Sequence, residues 1–178
     1  QLFNPPDYFS PDFEWYDECM KAKLDYDKSE ALKDYCDKIG IEFMASVFNL
    51  ESVAWAERLE MKRYKIASRS IDRQDLLDAV GITGKDIIVS LGMWEEANPL
   101  APLPTHLKST GKVDYLYCIA KYPTRPEDVD FTKVDFDNKY SGFSDHTIGI
   151  SAPLIAIARG AKIIEKHFTL NKNMYGPD

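Results

Sequence analysis

Two of the three histidines in the chain lie close to carboxylates, each near the end of a strand-like run. His146 directly follows Asp145, and His167 comes two residues after Glu165. Imidazole nitrogens are good ligands for divalent first-row metals, and a carboxylate beside them can orient a substrate or transfer a proton. If the two runs are neighbouring parallel strands, the sequence predicts that both histidines share one metal ion. The alternative is a pair of ordinary packed or surface histidines.

Strand alternation separates the roles of the two carboxylates. Successive side chains of a strand point to opposite faces, so Glu165 and His167 are expected on the same face. By the same rule Asp145 faces away from His146, which favours a structural or orienting role for it. Glu165 is therefore the better candidate for an acid or base.

The overall composition excludes several classes of function. Of the 178 residues, 44% are hydrophobic and 12% aromatic, which is typical of a globular protein. The net charge of −7 gives no support to nucleic-acid binding. No apolar run approaches the roughly 20 residues of a membrane span, and no signal peptide is visible, so we expect no membrane partner. The three cysteines fit neither a zinc knuckle nor a disulfide framework, which favours a reducing compartment, the cytoplasm.

The elements that would hold these residues alternate between strands and helices. Short apolar runs predict strands, and apolar residues at helical spacing predict helices. The predicted strands are 41–48, 63–68, 86–92, 113–120, one ending near Ser144, and 161–168, and the predicted helices are 28–39, 50–59, 72–80 and 152–159. This alternation favours an α/β fold with parallel strands, either doubly wound or part of a (β/α)8 TIM barrel. No glycine-rich dinucleotide fingerprint follows any of these strands, which favours the barrel.

The chain divides into two parts. Residues 1–27 are rich in proline and aromatic side chains and are expected to form an irregular segment with a short helix, whereas 28–178 form the barrel domain. Prolines at 99, 102 and 104 interrupt the connection after the third strand, which predicts an irregular crossover. Because the chain opens on Gln1 and not on a methionine, we expect a piece of a longer chain or a processed form.

Polar and ionisable residues mark the C-terminal ends of the predicted strands, where the working residues of a barrel cluster. The motifs at these ends are Tyr64-Lys65-Ile66-Ala67-Ser68, Ser90-Leu91-Gly92-Met93, Tyr122-Pro123-Thr124-Arg125-Pro126-Glu127-Asp128-Val129, Phe143-Ser144-Asp145-His146-Thr147, Glu165-Lys166-His167-Phe168-Thr169 and Gly176-Pro177-Asp178. In this order and spacing, the set resembles the sialic acid (N-acetylneuraminate) synthase family, which includes legionaminate, pseudaminate and spore-coat polysaccharide synthases. The resemblance covers about residues 30–178.

The resemblance implies a (β/α)8 barrel followed by a small antifreeze-like domain that caps the barrel of a partner in a homodimer. The present chain then holds roughly barrel strands three to eight, without the first two strands or the capping domain. Residues that those parts contribute to the family's site are absent with them, so the chain alone is expected to be inactive.

The resemblance also implies an activity. Family members condense phosphoenolpyruvate with N-acetylmannosamine or a related hexosamine aldehyde, release phosphate and form a nine-carbon 2-keto sugar acid. They use a divalent metal, usually Mn²⁺, with Mg²⁺ or Co²⁺ as alternatives. The implied partners are therefore two small molecules, phosphoenolpyruvate and an N-acetylated amino sugar.

The family's functional positions map onto residues of this chain. His146 and His167 would bind the metal, and Glu165 and Lys65 would be catalytic. The substrate-binding set would be Lys65, Ser46, Ser68, Ser90, Tyr122, Ser144 and Asp178. Lys65 is the strongest phosphoenolpyruvate ligand on physical grounds as well, since a charged lysine inside a strand otherwise costs desolvation energy.

Several residues depart from the family pattern. Arg69 and Ser70 stand where a glycine and an acidic residue are usual, and Leu91 replaces a common threonine. Tyr117, Ile119 and Ala120 replace a more polar strand end. These changes leave two alternatives open: a noncatalytic homologue that binds a sugar or a partner, and another phosphoenolpyruvate-dependent aldol-type synthase.

Overall fold

The structure is a computed structural model that describes residues 11–12, 16–171 and 173. The described residues form five α-helices, α1 Tyr16–Ala22, α2 Tyr26–Ile39, α3 Leu50–Arg58, α4 Gln74–Ile82 and α5 Ser151–Ala158. The same residues form five strands, β1 Arg63–Ile66, β2 Asp86–Ser90, β3 Val113–Cys118, β4 Gly142–Asp145 and β5 Ile163–Lys166. The predicted site residue Asp178 lies outside the described residues.

The five strands form one sheet in the order β1-β2-β3-β4-β5. The pairs β3–β4 and β4–β5 are parallel. A doubly wound sheet reverses its strand order at a switch point, whereas here each strand lies beside its successor in the chain, as in a barrel. The α/β fold with parallel strands is as predicted.

The described residues form two compact units. The first comprises the described residues up to Ile66 together with Arg73–Ile87 and Leu107–Lys112. The second comprises Ala67–Asp72, Ile88–His106 and the described residues from Val113 onward. Most of the candidate site residues belong to the second unit.

The first unit packs α3 against α4 and buries Tyr64 of β1. The Tyr64 hydroxyl donates to Glu57 Oε1 at 2.6 Å, and Lys85 Nζ lies 2.7 Å from the same oxygen. Burial and the Glu57 carboxylate both raise the pKa of Tyr64, which stays a neutral donor. Asn49 caps α3 by accepting the Ser52 backbone N–H, a capping box that fixes where the helix begins.

The predicted strand 41–48 is wrong as a strand. The segment forms only an isolated parallel bridge between Ser46 and Lys65, with the Val47 N–H donating to the Lys65 carbonyl at 3.2 Å. Its apolar alternation nevertheless corresponds to burial, because Phe43, Ala45 and Val47 are all buried. Alternation therefore detected an extended, half-buried segment, but burial alone does not produce a ladder of hydrogen bonds.

The second unit is held by an aromatic cluster behind β3 and β4. Tyr117 contacts Phe131, Tyr140 and Phe143, with ring centroids 6.5, 5.8 and 6.0 Å apart respectively. Burial raises the pKa of Tyr140 to about 12.

The connection from β2 to β3 holds only a short 3-10 turn at Trp94–Ala97, so the predicted irregular crossover is confirmed.

Gly142 allows β4 and β5 to approach closely. A Cβ atom at this position would lie 1.9 Å from the carbonyl oxygen of Ile163, its register partner on β5. Any larger residue would push the two strands apart. Glycine at this position therefore lets the two strands that precede the histidines remain adjacent.

Among the described residues, no helix is long and apolar enough to span a bilayer.

Candidate functional site

The two histidines follow the ends of neighbouring parallel strands. Asp145 and Lys166 are register partners at the ends of β4 and β5. His146 and His167 are the first residues after these two strands. Their ring centroids lie 5.3 Å apart with the planes at 73°. The structure therefore brings the two imidazoles together at the carboxyl edge of the sheet.

The tautomer of His146 is set by a backbone carbonyl. Its Nδ1 lies 2.7 Å from the oxygen of Ile119, which can only accept a hydrogen bond, so Nδ1 carries the proton. Burial lowers the pKa of His146; the bond to Ile119 opposes this, and the nearby His167 acts in the same direction as burial. The imidazole is therefore neutral at pH 7, with its lone pair on Nε2. This is the form of histidine that binds metals.

Tyr122 covers the histidine pair. Its ring centroid lies 4.0 Å from that of His146, with the planes tilted by 33°, and 5.5 Å from that of His167. Two residues later, the Thr124 N–H donates to the His146 carbonyl at 2.8 Å. The loop after β3 thus contacts His146 twice, through the ring of Tyr122 and through the backbone N–H of Thr124.

Glu165 joins three strands. Its Oε2 accepts a hydrogen bond from Ser144 Oγ at 2.6 Å and another from Ser90 Oγ at 3.1 Å. In a flat sheet β2 and β5 would be three strand spacings, about 14 Å, apart, too far for these two side chains to meet. This part of the sheet is therefore curved, with Ser90, Ser144 and Glu165 on its concave face.

Ser68 lies in the turn after β1 and belongs to the second compact unit. Its Oγ accepts the N–H of Gly92 at 2.9 Å and lies 3.7 Å from Cys118 Sγ. A Cβ at Gly92 would lie 2.7 Å from that sulfur, so this contact leaves room only for glycine. The structure therefore places Ser68 beside the ends of β2 and β3.

Comparison with known proteins identifies the family of the chain. The NeuB family model matches residues 9–178 of the chain. The chain belongs to the NeuB family. Its α/β fold is also that of a solved sialic acid synthetase from Leptospira borgpetersenii, with a TM-score of 0.77 and 26% identity over 93% of this chain and 59% of that one.

Curated relatives of this NeuB-family chain include sugar acid synthases. It is 36% identical to an N,N'-diacetyllegionaminic acid synthase of Campylobacter jejuni over 89% of this chain and 50% of the relative. It is 37% identical to an uncharacterized protein of Methanocaldococcus jannaschii over 100% of this chain and 54% of the relative. The chain thus spans about half the length of the curated relatives it matches.

Lys65 and Ser46 lie in the first compact unit of this NeuB-family chain. The two residues form the isolated bridge, and the Lys65 side chain, which is buried, donates to the Ile66 carbonyl at 3.0 Å. Ser68, Ser90, Tyr122, Ser144, His146, Glu165 and His167 all belong to the second unit. Within that unit the structure brings together the histidine pair with Tyr122, and Glu165 with two of the serines.

The donor set fits a divalent metal, with two ligands from the described residues. A neutral imidazole with a fixed tautomer at His146, close to a second imidazole, is suitable for a first-row metal. Within the described part of the chain, no group of three or more His, Cys, Asp or Glu side chains is arranged to hold an ion.

Sequence reasoning missed two contributors to the NeuB-family site. One is the backbone carbonyl of Ile119, and no side-chain pattern can reveal a carbonyl. The other is Lys166, whose Nζ contacts Asp145 Oδ2 and the Thr147 carbonyl. Its position between Glu165 and His167 in the sequence was a usable signal, since a lysine at a strand end opposite an aspartate predicts a cross-strand ion pair.

Proposed function

We propose that this chain forms the metal-binding part of the site of a sugar acid synthase. The enzyme condenses phosphoenolpyruvate with N-acetylmannosamine or a related hexosamine aldehyde and yields a nine-carbon 2-keto sugar acid and phosphate. The observation that carries the proposal is the convergence of Glu165, Ser90 and Ser144 on the strand edge that also holds His146 and His167, in a NeuB-family chain. The names of its relatives as legionaminic and sialic acid synthases support it.

The chemistry explains why these residue types are needed together. C3 of phosphoenolpyruvate forms a bond to the aldehyde carbon, the oxygen of water adds to C2, and phosphate leaves. Both protons of the attacking water are lost as C2 becomes a ketone and its C–O bond to phosphate breaks: one ends on the aldehyde oxygen and the other on the released phosphate. In this proposal Glu165 transfers one of these protons as a general acid or base. Its carboxylate lies on the concave face and is already oriented by two hydroxyl donors.

His146 and His167 would hold the metal, Mn²⁺ or alternatively Mg²⁺ or Co²⁺. A divalent ion there would polarise the aldehyde oxygen as a Lewis acid. The carbonyl of Ile119 keeps Nε2 of His146 available by fixing the proton on Nδ1. The pair of imidazoles thus supplies ligands while leaving room for substrate.

The remaining candidates would bind the substrates. Lys65 would pair with the carboxylate or phosphate of phosphoenolpyruvate and assist its reaction, since an ammonium is a compact partner for an anion. Ser46, Ser68, Ser90 and Ser144 would supply hydroxyl or backbone donors, and Tyr122 and Asp178 would contact the sugar. The same proposal places the protein in the cytoplasm, which the cysteine pattern favours, and its complete form in a homodimer, which rests on the family resemblance.

The noncatalytic alternative draws on the departures from the family pattern, and one of these does not remove a polar group from the concave face. The Tyr117 side chain lies in the aromatic cluster with Phe143, on the opposite face of β3 from Cys118, which contacts Ser68. At Ile119 the backbone carbonyl binds Nδ1 of His146 whatever the side chain is, but a polar side chain is still lost there. Arg69, Leu91, Ile119 and Ala120 remain as the changes that favour altered substrate choice or loss of turnover.

Turnover with a panel of acceptors tests the proposed function. Phosphate release and 2-keto acid formation should appear together when the complete form of the protein receives phosphoenolpyruvate, Mn²⁺ and the correct N-acetylated hexosamine. Omission of the metal or of the sugar should abolish both products. Absence of turnover with every N-acetylhexosamine and sugar phosphate in the panel would favour the noncatalytic alternative.

Replacing Tyr122 should weaken metal binding through loss of its contact with His146. A Tyr122→Leu variant should bind Mn²⁺ about 3- to 10-fold more weakly, equivalent to the about 0.5–1.5 kcal/mol of an aromatic pair. Tyr122→Phe keeps the ring and serves as the matched control, with affinity close to wild type. Titration by Mn²⁺ electron paramagnetic resonance (EPR) measures both, and equal weakening in both variants would assign the effect to the hydroxyl instead.

A further inference from the structure

Lys166 reaches from β5 to the backbone around His146. Its Nζ donates to Asp145 Oδ2 at 2.5 Å and to the Thr147 carbonyl at 2.6 Å. One contact lies before His146 in the chain and the other lies after it. A single side chain of the neighbouring strand therefore holds both residues that flank this histidine.

Asp145 completes the enclosure. It is fully buried, and its Oδ1 accepts the Thr147 N–H at 2.9 Å. The carboxylate thus bonds across His146 to the next residue while its other oxygen binds Lys166. The three groups form a closed network of Asp145, Lys166 and Thr147 around one residue.

The network lies where the ladder between the strands ends. The last register pair of β4 and β5 is Asp145 with Lys166, and both histidines are the first residues beyond it. Ladder hydrogen bonds therefore no longer fix the separation of the two imidazoles. The ion pair is the cross-strand contact between β4 and β5 that lies directly beside them.

Stability alone explains this ion pair poorly. Removing a carboxylate from water is costly, and apolar replacements of buried ion pairs are often neutral or stabilising. In some proteins a buried ionic group instead fixes one arrangement of its neighbours; here the Asp145 carboxylate is fully buried and Lys166 is partly exposed. The geometry at the strand ends gives the pair something to fix, namely the His146 backbone relative to His167.

We propose that Lys166, acting with Asp145, is a positioning residue that fixes His146 relative to His167. The inference deepens the proposed function and rests on its metal site. Loss of the pair should weaken Mn²⁺ binding by about 10- to 100-fold, the effect typical of partners that orient metal ligands. Neither residue touches the metal or the substrate in this account.

Three variants separate positioning from stability. Lys166→Met leaves Asp145 buried and uncompensated, so it should lower both the melting temperature and the Mn²⁺ affinity. Asp145→Asn keeps an acceptor for the Thr147 N–H but loses the charge. The double variant Asp145→Asn, Lys166→Met removes both charges, so its melting temperature should recover toward wild type while its Mn²⁺ affinity stays about 10- to 100-fold lower.

Asp114→Asn is the matched control. Asp114 is also buried and accepts a hydrogen bond from Ser141, between the opposite ends of β3 and β4. This variant should lose stability without losing Mn²⁺ affinity. If affinity instead follows melting temperature across all four variants, or returns to wild type in the double variant, the positioning role is overturned.

A metal-free measurement distinguishes failure of this inference from failure of the metal site. Nitrogen NMR of the histidine side chains should show His146 protonated at Nδ1 as a single tautomer in the wild type. In the Lys166→Met protein and in the double variant, that signal should become averaged. Unchanged imidazole signals would overturn the positioning role even if the wild type bound Mn²⁺, whereas a wild type that binds no Mn²⁺ refutes the metal site itself.

Discussion

A His146→Ala, His167→Ala double variant is expected to lose Mn²⁺ binding almost completely. The decrease in Mn²⁺ affinity should be larger than the decrease of about 10- to 100-fold that follows removal of a residue that only orients a ligand. The reason is that both proposed ligands are removed, and in the described part of the chain no group of three or more candidate ligand side chains is arranged to replace them. Titration by EPR with the free Mn²⁺ signal measures the affinity, and each single variant should lie between the double variant and the wild type.

His106 provides the control for nonspecific binding by imidazole. It is the remaining one of the chain's three histidines, and its Nε2 lies 2.6 Å from the carbonyl oxygen of Ile71. His106→Ala should leave Mn²⁺ affinity unchanged. Equal affinity in the wild type and the double variant would contradict the assignment of the metal ligands.

Glu165→Gln is expected to lower product formation by about 100- to 10,000-fold, the range of general acid–base catalysis. Glutamine has nearly the same shape and can still accept from Ser90 and Ser144, but it cannot transfer a proton. The initial rates of phosphate release and of 2-keto acid formation measure this effect. Mn²⁺ affinity should change little, because Glu165 is not assigned as a ligand.

Ser144→Ala is the companion variant for Glu165. It removes the shorter of the two hydroxyl bonds to the carboxylate and leaves Glu165 itself in place. The rate should fall much less than in Glu165→Gln. A Glu165→Gln enzyme with wild-type turnover would remove this residue from catalysis, and loss of Mn²⁺ together with turnover would make it a metal ligand instead.

Local patterns in the sequence were sufficient for most of the fold. The run Ile163–Lys166 is short, apolar at its start and preceded by the helix Ser151–Ala158, and both elements appear where they were predicted. The segment 41–48 has the same kind of apolar pattern yet forms a single bridge. Apolar alternation reports burial, whereas a ladder also needs a backbone partner in register, which the segment's own residues do not determine.

The proximity of the two histidines could be predicted from the sequence, but the geometry around Glu165 could not. The proximity of His146 and His167 follows once β4 and β5 are adjacent, since both histidines lie one residue past the strand ends. The bond from Ser90 to Glu165 could not be predicted, because it requires the sheet to curve over four strands. Curvature depends on the summed packing of several strands and leaves no mark on one short segment.

The backbone contacts around His146 were the least predictable feature of the site. Sequence alternation placed Asp145 away from the histidine side chain, and the structure adds Lys166 as its partner. The carbonyl of Ile119 sets the tautomer although its side chain departs from the family pattern. Contacts made by backbone atoms are independent of residue type, so side-chain motifs cannot identify them.

Pulsed EPR of the Mn²⁺-loaded protein tests the central claim, that His146 and His167 hold the metal, most directly. Selective ¹⁵N labelling of histidine should reveal two directly bonded imidazole nitrogens in the wild type. Each single variant, His146→Ala or His167→Ala, should retain one of them, and His106→Ala should retain both. A wild-type spectrum without coupling to imidazole nitrogen, or one unchanged in the single variants, would contradict the account.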